Sequence, residues 1–151
     1  MNHTQIVNFI WEIANLIRDV FKRGKYQDVI LPFVVLRRID AVLEPTKDAV
    51  LERHAQLKDV IENLDPQLRR ASGYAFYNTS PYTFQRLLQD PPNLAHNLRA
   101  YINGFSENMR LVLERFEFDN TIDKLAENNL LYLVIERFAQ ADLHPDRVSN
   151  R

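Results

Sequence analysis

The sequence contains no cysteine, which excludes disulfides, thiolate metal sites and cysteine nucleophiles and makes the reducing cytoplasm the expected setting. It has only three glycines in 151 residues, too few for the many tight turns of a β-rich fold. It lacks an excess of either charge. Nineteen Lys and Arg stand against twenty Asp and Glu, a formal charge of -1, whereas an autonomous DNA binder shows a basic excess, so any contact with nucleic acid has to use a local patch. Long hydrophobic runs are missing too. The longest, 29–36, is far too short to cross a bilayer, so no membrane partner is expected. The start, with Asn2, His3, Thr4, Gln5 and Asn8, lacks the basic and apolar regions of a signal peptide. The triplets Asn2-His3-Thr4 and Asn78-Thr79-Ser80 therefore carry no meaning as glycosylation sites.

What is present is a hydrophobic fraction of 46% with 26% charged residues, enough for one well-buried core. The pattern is helical. Ile6, Ile10, Ile13, Ile17 and Val20 repeat at four-three-four-three spacing and predict an amphipathic first helix that Gly24 ends, with Lys22 and Arg23 in its last turn. The β-branched run 29–36 resembles a buried strand, but Pro32 would remove a ladder donor. As a helix it places Val35, Ile39 and Val42 on one face with Leu36 and Leu43 beside it, and Pro32 near the first turn or at a kink; being apolar nearly all round, it is expected to be central.

Glu44-Pro45 is expected to start a further helix with Val50, His54, Leu57, Ile61 and Leu64 on one face, down to Asp65-Pro66. A short helix over 67–71 ends at Gly73, and the punctuated aromatic segment 74–83 reads as an ordered loop. A short piece over 84–88 precedes Asp90-Pro91-Pro92, which leads into a helix with Leu94, Leu98, Tyr101 and Ile102 on one side, closed by Asn103-Gly104. Ser106 is placed to cap the next helix, with a stripe of Met109, Val112, Leu113 and Phe116, and Asp119 to cap the one after. A last apolar helix covers about 130–139. The expectation is an all-α fold: a single multi-helix orthogonal bundle over 1–141 with an ordered aromatic loop in its middle, followed by a polar connector over 142–151.

No catalytic residues are expected. Asp90-Pro91-Pro92-Asn93 resembles the Asp/Asn-Pro-Pro-aromatic motif with which amino-group methyltransferases hold an extruded base. Its fourth residue is Asn, and neither the upstream strand nor the glycine-bearing cofactor loop is present, so a helix start is the better reading. His3, His54, His96 and His144 show no three- or four-residue spacing, so no metal site is expected, and His54 reads as a core histidine. Tyr74, Phe76, Tyr77, Tyr82 and Phe84 can stack on bases, but such clusters more often pin a loop to a core. The densest basic group is Arg18, Lys22, Arg23 and Lys25 with Arg37 and Arg38. Of these, Lys22, Arg23, Lys25, Arg37 and Arg38 are the candidate DNA-phosphate contacts; a solvated charged face, or pairing of Arg37 or Arg38 with Asp40 or Glu44, is the competing reading.

Several segments together carry a family resemblance: Ile10-Trp11, Val29-Ile30-Leu31-Pro32, Val35-Leu36-Arg37-Arg38-Ile39-Asp40 and Leu43-Glu44-Pro45-Thr46-Lys47. So do Phe76-Tyr77-Asn78-Thr79-Ser80, Tyr101-Ile102-Asn103-Gly104-Phe105, Phe116-Glu117-Phe118, Leu130-Leu131-Tyr132-Leu133-Val134 and Asp142-Leu143-His144-Pro145-Asp146-Arg147. Over essentially its whole length the chain resembles the N-terminal helical domain of type I restriction-modification M subunits, which are DNA adenine methyltransferases. The resemblance implies a parent that binds S-adenosylmethionine and methylates adenine at its exocyclic nitrogen in a domain that follows this one. It implies no cofactor and no catalytic residue in the present segment. Its partners would be double-stranded DNA, bound weakly and without sequence preference, a specificity subunit, a second M subunit and, in the full complex, a restriction subunit. The rival reading is a stand-alone helical interaction module or transcription regulator. Its best recognition pair, over 119–128 and 130–139, is acidic and apolar, which does not suit DNA.

Overall fold

A computed structural model describes residues 1–146 of the chain. Its first helix, α1 (His3–Ile17), is nucleated by a reciprocal cap: Asn2 Oδ1 accepts from the Gln5 amide at 2.8 Å and Gln5 Oε1 accepts from the Asn2 amide at 3.0 Å. The helix stops at Ile17, earlier than the expected Gly24. Lys22 and Arg23 therefore lie outside its last turn, and Gly24 sits in a 3-10 turn (Arg23–Lys25) that opens the next helix. The buried line is Phe9, Ile13 and Ile17, with Ile10 left outside. Phe9 decides this, because its ring has an edge-on partner in Phe138 at 4.9 Å that the smaller Ile10 could not replace.

Helix α2 (Tyr26–Leu43) runs through the middle of the molecule, as its apolar composition requires. Pro32 lies in its second turn and the helix continues past it. Val29, Phe33, Leu36 and Leu43 point inward, while the expected face of Val35, Ile39 and Val42 is only half-buried on the flank. Phe33 stands edge-on to Phe118 at 5.5 Å and beside Phe138 at 5.7 Å, so three helices meet at this ring.

After a 3-10 turn (Glu44–Thr46), α3 (Lys47–Leu57) ends about two turns before the expected Leu64. Ile61 is exposed and Val60 is 75% exposed, so nothing rewards extension of the helix beyond Leu57. Helix α4 (Asp65–Ser72) packs back on α3 and closes at Gly73, whose φ of 81° is the left-handed conformation glycine adopts without strain.

Segment 74–83 is an ordered loop, joined to the far side by an isolated antiparallel bridge between Asn78 and Phe105. The short α5 (Phe84–Leu87) is capped by Thr83, whose hydroxyl accepts from the Arg86 amide at 3.1 Å. Then come α6 (Leu94–Asn103), α7 (Glu107–Glu114), α8 (Phe118–Glu127) and α9 (Leu131–Gln140). Two capping expectations change. Ser106 holds the N-cap position of α7, but its hydroxyl donates to Asn108 Oδ1 at 2.6 Å and no cap bond forms. The cap of α8 is Glu117, at φ 52°; Asp119 lies in the first turn and pairs with Arg99. In α7 only Leu113 of the expected stripe is fully buried, and Val112 is exposed. The buried cluster reaches Ala141 and Leu143, while positions 147–151 of the expected connector lie outside the described residues.

Candidate functional site

The five residues expected to meet DNA do not form one patch. Arg37 is only 8% exposed. Its guanidinium donates through Nη1 to Asp40 Oδ2 at 3.0 Å, through Nε to the Phe138 carbonyl at 2.9 Å and through Nη2 to the Ala139 carbonyl at 3.4 Å. Those carbonyls belong to the last turn of α9, where the helix dipole favours a cation; the Phe138 carbonyl also accepts from the Ala141 amide at 3.1 Å. Arg37 therefore caps α9 from inside and offers nothing to a phosphate, so pairing with Asp40 is the reading that holds for it. Lys22, Arg23 and Lys25 are exposed at the turn between α1 and α2; Lys25 approaches Asp28 at 3.8 Å with both side chains 69% exposed. Arg38 is also exposed, but it lies thirteen residues beyond Lys25, roughly 20 Å along α2. Arg18 closes α1 at its C-cap.

Behind Arg37 the polar interior is fully bonded. Asp40 Oδ1 accepts from the Tyr101 hydroxyl at 2.9 Å, and the Phe84 amide donates to the same carboxylate at 3.3 Å. Burial pushes the Asp40 carboxyl up, against the pull of Tyr101 and Arg37, and burial with the Asp40 charge raises the Tyr101 phenol well above its ordinary value. Lys47 donates to Asn78 Oδ1 at 2.9 Å, and burial lowers its ammonium to about 8. Asn78 also accepts from the Ser80 amide and hydroxyl and donates to the Tyr101 carbonyl at 2.7 Å. Such a network specifies how the loop seats on α2 and α6.

The remaining motifs are structural. Asp90 accepts from Asn93 and Asn97, fixing the start of α6 through a 3-10 turn (Pro91–Asn93), which is the helix-start role expected of Asp90-Pro91-Pro92-Asn93. The aromatic segment is mostly pinned, with only Tyr74 of the expected cluster exposed. Phe84 is buried, Phe76, Tyr77 and Tyr82 are half-buried, and Tyr77 donates to Asp65 Oδ1 at 2.8 Å. His54 is half-buried on α3.

Periodicity did not anticipate an open apolar groove of about 660 Å³ between α1 and α2. Its walls carry Ile10, Trp11, Ile30, Leu31 and Val34, with Arg18 and Arg23 at the end where the helices are joined. Trp11 and Leu31 fall off the buried stripes of both helices, and that displacement is the signal by which sequence could have found the groove.

The three glycines have structural places: Gly24 opens a helix, Gly73 ends one and Gly104 packs against Ser80. Comparison with curated proteins and with solved structures gave no match. A model of the HsdM N-terminal domain matches residues 6–138, from within the first turn of α1 to nearly the end of α9. The chain thus belongs to the HsdM N-terminal domain family, the N-terminal domain of the type I restriction-modification M subunit.

Proposed function

We propose that this chain is the accessory helical part of an adenine-specific DNA methyltransferase, helping to close the assembly around DNA and meeting neighbouring M or specificity subunits. The methyl donor and the flipped adenine would be held by another part of the protein, and a restriction subunit would join the same complex. The observation that carries this reading is the exposed turn after α1. Residues 18–25 hold four cations, Arg18, Lys22, Arg23 and Lys25, against the single carboxylate Asp19, a local charge of +3 in a chain whose total is -1. A patch of this size adds phosphate contacts without reading bases, which leaves sequence choice to a specificity subunit.

The rival, a self-sufficient regulator with a recognition helix, is disfavoured by the same structure. Helix α9 turns Leu131, Val134, Ile135 and Phe138 into the core, and the exposed face of α8 carries Asp119 and Asp123, both paired with Arg99, and Glu127 beside the single Lys124, so it offers no basic recognition face.

The test is anisotropy of a labelled duplex of about 30 base pairs titrated with the chain across a salt series. Binding is expected in the non-specific range, on the order of 10⁻⁴ to 10⁻⁶ M, with affinity falling as salt rises. Lys22→Glu with Lys25→Glu should weaken it and flatten the salt slope by about two. Tight, sequence-dependent binding by the chain alone, or a salt slope that ignores those lysines, would refute the reading.

A further inference from the structure

We propose that the groove between α1 and α2 is a docking site for an amphipathic helix of a partner protein, one with an apolar stripe flanked by acidic side chains. The inference rests on reading the chain as a docking part of a larger assembly, and it names the surface and the chemistry of what sits there.

The groove is open where the rest of the core is closed. Trp11 is 60% exposed, Leu31 46% and Ile10 41%, three large apolar side chains gathered in one depression rather than scattered. Each wall spans nine residues, Ile10 to the C-cap Arg18 along α1 and Tyr26 to Val34 on α2, so the floor, eight helical steps, is about 12 Å long, roughly two turns of a third helix. A helix laid there would meet the walls through side chains at i, i+3 or i+4 and i+7, the usual anchors of a helix in a groove.

Charge selects the occupant. No carboxylate lines the groove, whereas Arg18 and Arg23 do, and Arg38 stands one turn past Val34 on the same face of α2. The nearest acids lie outside it: Glu12 faces Arg137 at 3.8 Å, Asp28 faces Lys25 and lines an adjoining hollow with Pro32, and Asp19, next to Arg18, is not among the lining residues. Cations at both ends of an apolar floor complement a helix with Glu or Asp beside its apolar stripe. DNA would satisfy the arginines but leave Trp11 and Leu31 in water. A second copy docked groove to groove would bring the two sets of arginines together, because a two-fold contact pairs each patch with itself.

Trp11 is the single tryptophan, so its emission reports directly on the groove. The probe is a synthetic helix of about 21 residues with Leu at heptad positions a and d and Glu at e and g, whose like charges keep its own copies apart; the control carries Lys at e and g. The Glu peptide should shift Trp11 emission to the blue and saturate, and the Lys peptide should bind at least about tenfold more weakly. Leu31→Asp, and separately Arg18→Glu with Arg23→Glu, should each weaken the Glu peptide by about tenfold or more; the arginine variant changes only exposed charge, so it stays informative if Leu31→Asp lowers the melting temperature. Absence of any shift, equal binding of both peptides, a blue shift produced by duplex DNA alone, or a concentration-dependent dimer in sedimentation that Leu31→Asp dissolves would each overturn the proposal. Duplex binding without peptide binding sinks this inference and leaves the DNA reading standing, and the converse result separates them the other way.

Discussion

Lys47 is the residue whose environment departs furthest from its sequence neighbourhood. Beside Asp48 in a charged stretch it reads as a surface lysine, yet it is 5% exposed and its ammonium sits between Asn78 Oδ1 and the Tyr101 ring. Burial depresses its folded-state value to about 8, so between pH 8 and 10 the unfolded chain binds more protons than the folded one, and stability rises with pH across that window. The rise should be on the order of 2 kcal/mol. Above pH 10 the sign reverses. Tyr101 is raised by burial and by Asp40, and Tyr77 is raised by burial and by its bond to Asp65 to about 12, so the unfolded phenols ionise first and stability is lost. Urea denaturation at pH 8, 9, 10 and 11 should trace a maximum near pH 10, and Lys47→Met should abolish the rise while keeping the fall.

Among the elements, the aromatic loop was read as ordered from its punctuation, but what orders it was not legible, because the pairing runs across twenty-odd residues. The Thr79 amide donates to the Gly104 carbonyl and the Ser106 amide to the Tyr77 carbonyl, both at 2.9 Å, which straps the loop to the end of α6. Gly104 is required there by space alone. Its φ of -79° suits any residue, but an added Cβ would lie 2.8 Å from Ser80 Cβ and 2.9 Å from the Ser80 amide nitrogen. Gly104→Ala should therefore force the strap apart and cost about 1 to 3 kcal/mol in a thermal or urea melt. An unchanged midpoint would show that the strap contributes nothing. Gly73, by contrast, was readable from sequence as a helix stop, since its role depends on local backbone conformation.

Over the described residues, one apolar cluster joins α1, α2, α5, α6, α7, α8 and α9, while α3 and α4 contribute Val50 and Leu68 outside it. Hydrogen exchange should follow that division. Amides of α2 and α9 should exchange only through global unfolding, and those of α3 and α4 at least about tenfold faster; equal protection throughout would mean that the α3–α4 pair is no weaker than the core. The sequence by itself determined the helical class, the central place of α2, the stops at Gly73 and Asn103-Gly104, the helix-start role of Asp90, and the likeness to M-subunit N-terminal domains. The likeness rests on matching segments along the chain; the other features follow from periodicity, capping and backbone preference, which act within a few residues. Only the tertiary structure decided that Phe9 outranks Ile10, that Arg37 caps α9 and is unavailable to DNA, that Lys47 is interior, and that Trp11 and Leu31 share an open groove. Each of these depends on which side chain from a distant helix arrives opposite, and helical periodicity marks a face without naming its neighbour.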